Sequence, residues 1–175
     1  PMKLGGKTCR LKGRLNLSST FHKTSVVSTS WGLEWMEWEG RVEKATFQSL
    51  AEGNFHIING FRNETQEDML ETIKFVNKLE VDGVKIHMLF IEKGTKLSKE
   101  YLENPFHILT LNEFVDIVCD QIELLNKKTV LYRLTGDPNK ELTIEPSWTH
   151  KKFIVLNEID KELKRRNTYQ GIKEK

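Results

Sequence analysis

Between His56 and Thr95 short apolar runs flank a stretch of helical periodicity, and this pattern organises the rest of the chain. His56–Gly60 is an apolar run ending in glycine, and Phe61–Glu64 is polar and aperiodic, which predicts a strand and then a loop. Thr65 with Asp68 three residues later has the form of a capping box. Met69, Ile73, Val76 and Leu79 follow at spacings of three and four, giving one apolar helix face. Asp82-Gly83 closes that helix, and Val84–Ile91 reads as the next strand. A helix between two strands implies a right-handed parallel crossover. Ligands in such sheets sit at the carboxyl ends of the strands, which sets Gly60–Glu64 and Ile91–Thr95 on one rim.

Downstream, Ser98–Leu102 has room for one or two helical turns before Pro105. Thr110 and Glu113 form a second capping box. Leu111, Phe114, Val115, Val118, Ile122 and Leu125 continue as an amphipathic helix. Thr129–Leu134 is β-branched and aromatic and predicts a third strand; Thr135–Pro138 carries strong turn signals. Asn139–Trp148 reads as irregular or extended. A last helix from about Thr149 to Arg166 would bury Phe153, Leu156, Ile159 and Leu163, with its basic end suiting the negative helix terminus. The tail, Thr168–Lys175, with 172–175 as its free end, reads as mobile.

Residues 1–54 have a different character. Pro1–Ser30 lacks periodicity and reads as loop or disorder, whereas Trp31, Trp35 and Trp38 recur at helical spacing. That stripe is either a cofactor or partner surface or a set of rings buried in a core. The predicted organisation is therefore an irregular or helical segment 1–54, an α/β unit 55–171 and a short tail. Three parallel strands with covering helices do not complete a barrel or a doubly wound sheet, so the fold class is half of an incomplete (β/α) barrel.

Charge changes this picture little. Lys plus Arg number 27 against 25 acidic residues, a net charge of +2, too small to argue for nucleic acid or a lipid surface. No apolar run is long enough to span a bilayer, and the expected compartment is cytoplasmic, with reduced thiols. The two cysteines, Cys9 and Cys119, make neither a disulfide framework nor a metal site by themselves.

Three stretches, HIINGFRNETQEDMLETIKFVNKLEVDGVKIHMLFIEKGTKL, YRLTGD and WTHKKFIVLNEIDKELKRRNTYQG, carry a resemblance. In this order they resemble the C-terminal half of a radical SAM protein, from about His56 to Gly171. The branch is an uncharacterised bacterial one similar to elongator-type acetyltransferase subunits and anaerobic coproporphyrinogen oxidases. The resemblance implies an incomplete barrel holding S-adenosylmethionine and a [4Fe–4S] cluster, and radical chemistry on a small-molecule or RNA substrate. It implies that His56, Ile58, Gly60, Glu64 and Leu89 border the cofactor, and that Lys85, His87, Arg133 and Asp137 line the substrate side. Where the family has Leu-Pro-Gly-Glu-Thr, this chain has Phe61-Arg62-Asn63-Glu64-Thr65. Asn63 tolerates the left-handed backbone that glycine would adopt there.

The residues themselves leave alternatives open. His56 is either a ligand contact or a hydrogen-bonded strand residue, and Arg133–Asp137 either binds substrate or pins a turn by a salt bridge. Glu64 caps the helix dipole or holds a ribose hydroxyl or methionyl amine. A cluster of this kind needs three thiolates, and no CxxxCxxC-like run is present. The cluster is therefore not expected in this chain alone, and a truncated or frameshifted reading frame is one explanation for residues 1–54. The rival reading is a non-catalytic α/β interaction module that self-associates through an open sheet edge. RNA contact through the basic end, Lys161–Lys175, is a weaker alternative.

Overall fold

The computed structural model describes two short backbone strands near the N-terminus and residues 54–174 continuously. The strands β1 (Met2–Leu4) and β2 (Lys7–Cys9) pair antiparallel with Met2 opposite Cys9. These paired strands lie where the sequence reads as loop or disorder. The signal for them is the Gly-Gly dipeptide between two three-residue runs, too short for periodicity to register. The tryptophan stripe at 31–38 lies outside the described residues.

The central strand–helix–strand unit is β3 (Asn54–Asn59), α1 (Gln66–Lys78) and β4 (Gly83–Met88). After it come β5 (Ile91–Glu92), α2 (Lys96–Glu103), α3 (Leu111–Leu124), β6 (Val130–Arg133), β7 (Thr143–Glu145), a 3₁₀ turn at Ser147–His150 and α4 (Lys152–Arg166). β3 and β4 run parallel from Asn54 opposite Gly83 to Asn59 opposite Met88. β6 adds to the other side of β4, also parallel, giving the order β3-β4-β6. The protein is thus α/β, with three parallel strands in one open sheet and no closed barrel among the described residues.

Local sequence dictates the helix starts. Thr65 and Asp68 form a reciprocal capping box at α1, and Thr110 and Glu113 form another at α3. Each box satisfies two of the backbone N–H groups that a helix leaves unpaired at its start. Phe55 and Ile57 of β3 and Val84, Ile86 and Met88 of β4 share one sheet face. They bury against Ile73 and Val76 of α1, Phe114, Val118 and Ile122 of α3, and Val155 and Ile159 of α4. Each such side chain contributes roughly 1.5–3 kcal/mol relative to exposure. Between α1 and α3, Asn59 and Gln121 exchange two buried amide hydrogen bonds of 2.8 and 2.9 Å, and Gln121 also donates to the Met69 carbonyl. This pair ties the last residue of β3 to the helical layer.

Three expectations need correction. The second strand ends at Met88 rather than Ile91; the Leu89 N–H makes the last ladder hydrogen bond, to the Asn59 carbonyl at 2.9 Å, and the chain then leaves the sheet. Ile91 and Glu92 pair antiparallel with β7 in a separate two-stranded sheet. A continuous apolar run hides such a break, since its residues are buried on either side of it. The last helix starts at Lys152 and turns Phe153 to solvent at 79% exposure; Ile159 is buried as expected, and Val155 rather than Phe153 joins it. The 3₁₀ turn before it offsets the helical phase. Residues 168–174 are also not a free tail. The N–H groups of Gly171 and Lys173 donate to the Ile122 and Glu123 carbonyls, and the Gln170 amide donates to the carbonyls of Asn126 and Thr129. The end of α3 leaves carbonyls without intrahelical partners, and this segment supplies the donors.

Gly83 begins β4 where β6 passes closest. A Cβ built on it would lie 2.2 Å from a Tyr132 ring carbon and 2.8 Å from the Val130 carbonyl oxygen. Gly83→Val is expected to force β6 off β4 and to cost ~1–3 kcal/mol. A denaturant midpoint equal to the native protein's would contradict this close approach.

Candidate ligand-binding face

The face of the sheet opposite the core is polar. In the strand register His56 stands opposite Lys85, and Lys85 opposite Arg133, so these three residues form one row across β3, β4 and β6. Period-two alternation makes this necessary: Val84, Ile86 and Met88 take the core side, leaving Lys85 and His87 on the other. A register shift after Val84 brings Arg133, rather than Tyr132, into the row.

His87 stacks on His56 with ring centroids 5.3 Å apart and planes 25° from parallel. Nε2 of both rings is buried and has no hydrogen-bond partner, and neither does the buried Thr135 hydroxyl. Unpaired polar atoms of this kind are costly in a folded protein and mark positions where a further group completes the contacts. Burial lowers the pKa of His56, with Lys85 and Arg133 adding to the effect. Burial lowers that of His87 to about 4, helped by His56, Arg133 and Lys85. Both rings are consequently neutral near pH 7.

Asp137 follows the third strand and bridges Arg133 at 3.0 Å and Lys152 of α4 at 3.1 Å. The Lys152 hydrogen bond, then the Arg133 charge, hold its carboxyl below the usual range. The salt bridge read from the sequence as an alternative for Arg133–Asp137 therefore exists, with Lys152 as a third member the sequence did not reveal. Among the described residues Lys85 has no ion-pair partner.

The rim loop after β3 has a specific geometry. Gly60 adopts φ +94° and Asn63 φ +62°, the left-handed conformation expected for Asn63. Glu64 folds back so that one carboxylate oxygen accepts from the Gly60 and Phe61 N–H groups at 2.8 and 3.0 Å. Burial nevertheless pushes its pKa up to about 7 against those two donors. Glu64 thus closes the loop through its carboxylate. Arg62 lies with its guanidinium 5.9 Å over the Phe106 ring. Ile58 stands opposite His87 in the register, and with Phe61 and Leu89 it packs against Leu97, Phe106 and Ile108 in a second apolar cluster beside the row. The face therefore has a cationic strip beside an apolar patch.

Residues 81–165 match the Radical_SAM C-terminal domain. This part of the chain belongs to that family. The radical SAM region is similar to the uncharacterized protein YtqA of Bacillus subtilis, 43% identical over 116 residues, covering 66% of this chain and 36% of that protein. An uncharacterized protein of Methanocaldococcus jannaschii is 34% identical over 117 residues, with the same two coverages. Protein YhcC of Escherichia coli is 24% identical over 108 residues, 62% of this chain and 35% of its own length. The chain spans about a third of the length of the curated relatives it matches.

Radical SAM proteins typically use S-adenosylmethionine and a [4Fe–4S] cluster, and the two groups fit these residues differently. The chain has two cysteines where such a cluster needs three thiolates. Cys119 is fully buried in the helical layer, and burial raises its thiol to about 12, far from a thiolate. The cluster does not fit the described residues, and no chemistry is derived through it. S-Adenosylmethionine fits better, because the strip offers unpaired polar atoms beside an apolar patch suited to a nucleoside. No described helix is long and apolar enough to cross a membrane.

Proposed function

We propose that this chain supplies one wall of a radical SAM ligand chamber, built from the open face of the β3-β4-β6 sheet. On this reading S-adenosylmethionine lies along His56, Ile58, Gly60 and Leu89, with Glu64 holding the rim loop in shape. The substrate lies toward Lys85, His87, Arg133 and Asp137. When bound, the cofactor would supply the 5′-deoxyadenosyl group of this family's chemistry. The residues here bind, orient and exclude water. The observation that carries the reading is the His56–His87 stack, whose two buried Nε2 atoms have no protein partner. In a filled core such atoms would find partners. Three thiolates would have to come from elsewhere in the assembled enzyme, so the chain alone is proposed to bind without turning over.

The test is saturation-transfer NMR on the full chain with S-adenosylhomocysteine, a non-reactive stand-in for the cofactor. Irradiating protein methyl groups should transfer magnetisation to the adenine protons more strongly than to the homocysteine protons. Transfer that is absent at millimolar ligand, a free energy of only about −4 kcal/mol, would overturn the proposal.

A second reading, self-association as a non-catalytic α/β module, draws on β6. Among the described residues this strand pairs on one side only, and Val130 and Tyr132 are 49% and 53% exposed. Light scattering distinguishes the two, since a monomer across the concentration range removes the second. RNA contact through the basic end has less behind it. Lys161, Lys164, Arg165 and Arg166 all hold carboxylate partners, and Arg166 bridges Asp116, Asp120 and Glu162.

A further inference from the structure

The cationic strip has an excess of charge that the protein leaves unanswered. Arg133 and Lys152 share a single carboxylate, Asp137, while Lys85, opposite Arg133 in the strand register, has no ion-pair partner among the described residues. Two histidine rings with unpaired, buried Nε2 atoms flank Lys85: His56 opposite it on β3 and His87 two residues further along β4. A cation row beside partnerless hydrogen-bonding nitrogens has one complementary ligand chemistry, an anion with several acceptor oxygens. A neutral ligand would leave Lys85 uncompensated at a partly buried position. A cation would meet repulsion from Lys85 and Arg133.

We propose that this strip binds a carboxylate or phosphate group, held by Lys85 and Arg133 with His56 and His87 donating from Nε2. The proposal rests on the ligand-chamber reading above and adds the chemical class of the group bound at its polar side. Asp137 then acts as an internal competitor: its carboxylate occupies the guanidinium fork until an external anion shares it. Burial is the main cause of the lowered pKa of both rings, and the Lys85 and Arg133 charges add to it.

Inorganic phosphate is the probe. Added to the full chain at constant ionic strength, it should shift the side-chain resonances of Arg133, His56 and His87 saturably, whereas chloride should not. Lys85→Gln and Arg133→Gln should each weaken phosphate roughly tenfold or more, the effect of losing a charge-assisted contact. Asp137→Asn should tighten it several-fold, an outcome that a merely structural salt bridge would not give. Shifts that grow linearly, or equally with chloride, would overturn the proposal, as would unchanged affinity in the Lys85 and Arg133 variants.

Adding S-adenosylhomocysteine separates the anion's sources. Competition assigns the strip to the cofactor's own carboxylate, and simultaneous binding assigns it to an anionic group of the substrate. Phosphate binding without nucleoside binding would overturn the chamber reading and leave the anion site standing. Nucleoside binding without phosphate binding would do the reverse.

Discussion

Glu64→Gln should make the protein lose stability steadily as pH falls from about 6.5 to about 4, while His87→Gln should make it gain stability as pH falls from about 7 to 4.5. The signs follow from proton counts. Between its folded value of about 4 and the ordinary 6.5, His87 is neutral when folded and protonated when unfolded. The unfolded state then binds more protons, so stability rises with pH and is lost on acidification through that window. Glu64 runs the other way. Between 4.5 and about 7 it is protonated when folded and ionised when unfolded, so its contribution is full below 4.5 and is lost as pH rises through 7. At about 1.4 kcal/mol per pH unit, each effect reaches ~2–3 kcal/mol after discounting for partial exposure. In the native protein the two slopes oppose each other and the profile is nearly flat. Removing either group exposes the other. Denaturant unfolding of both variants at half-unit pH intervals is the measurement, and parallel profiles would refute the assignment.

Phe114→Ala should cost ~3–5 kcal/mol, a large part of the 5–15 kcal/mol that stabilises a typical domain. Phe114 is fully buried on α3 and meets Trp148 with ring centroids 5.4 Å apart. The Trp148 indole N–H in turn donates to the Leu109 carbonyl at 3.0 Å. Emptying the Phe114 site therefore leaves a cavity and loosens the 3₁₀ turn that precedes α4 and carries Lys152 toward Asp137. Calorimetry reads the loss. A shift below 1 kcal/mol would mean that the neighbouring side chains collapse into the space. Phe114→Leu, which keeps most of the volume, is expected to fall between the two.

How much of this was legible depended on distance along the chain. Both capping boxes are interactions between residues three apart, and Thr65–Asp68 and Thr110–Glu113 stand where the sequence predicted them. The opposite facing of Ile86 and His87 follows from strand periodicity alone. Asn63, read as able to take the left-handed conformation, takes it. What escaped were contacts between distant segments. β5 and β7 are two and three residues long, and their pairing joins Ile91 to Glu145. Lys152 reaches Asp137 because α4 starts three residues later than its periodicity suggested. Leu97, Phe106 and Ile108 from the α2 region pack around Ile58 and Leu89, which no strand pattern foretells. The docked segment 168–174 was hidden for the same reason: its partners are carbonyls at the end of α3, and carbonyls have no sequence signature.

The central claim is that the histidine–lysine–arginine face of the parallel sheet is the wall of a ligand chamber rather than a satisfied surface. Long-range proton–nitrogen NMR of the imidazoles, recorded on the full chain while S-adenosylhomocysteine is titrated in, tests it most directly. The account predicts neutral rings at pH 7, His87 titrating near 4, and saturable movement of both Nε2 resonances as the nucleoside binds. Rings that titrate near the ordinary 6.5 and stay unmoved at millimolar ligand would contradict it.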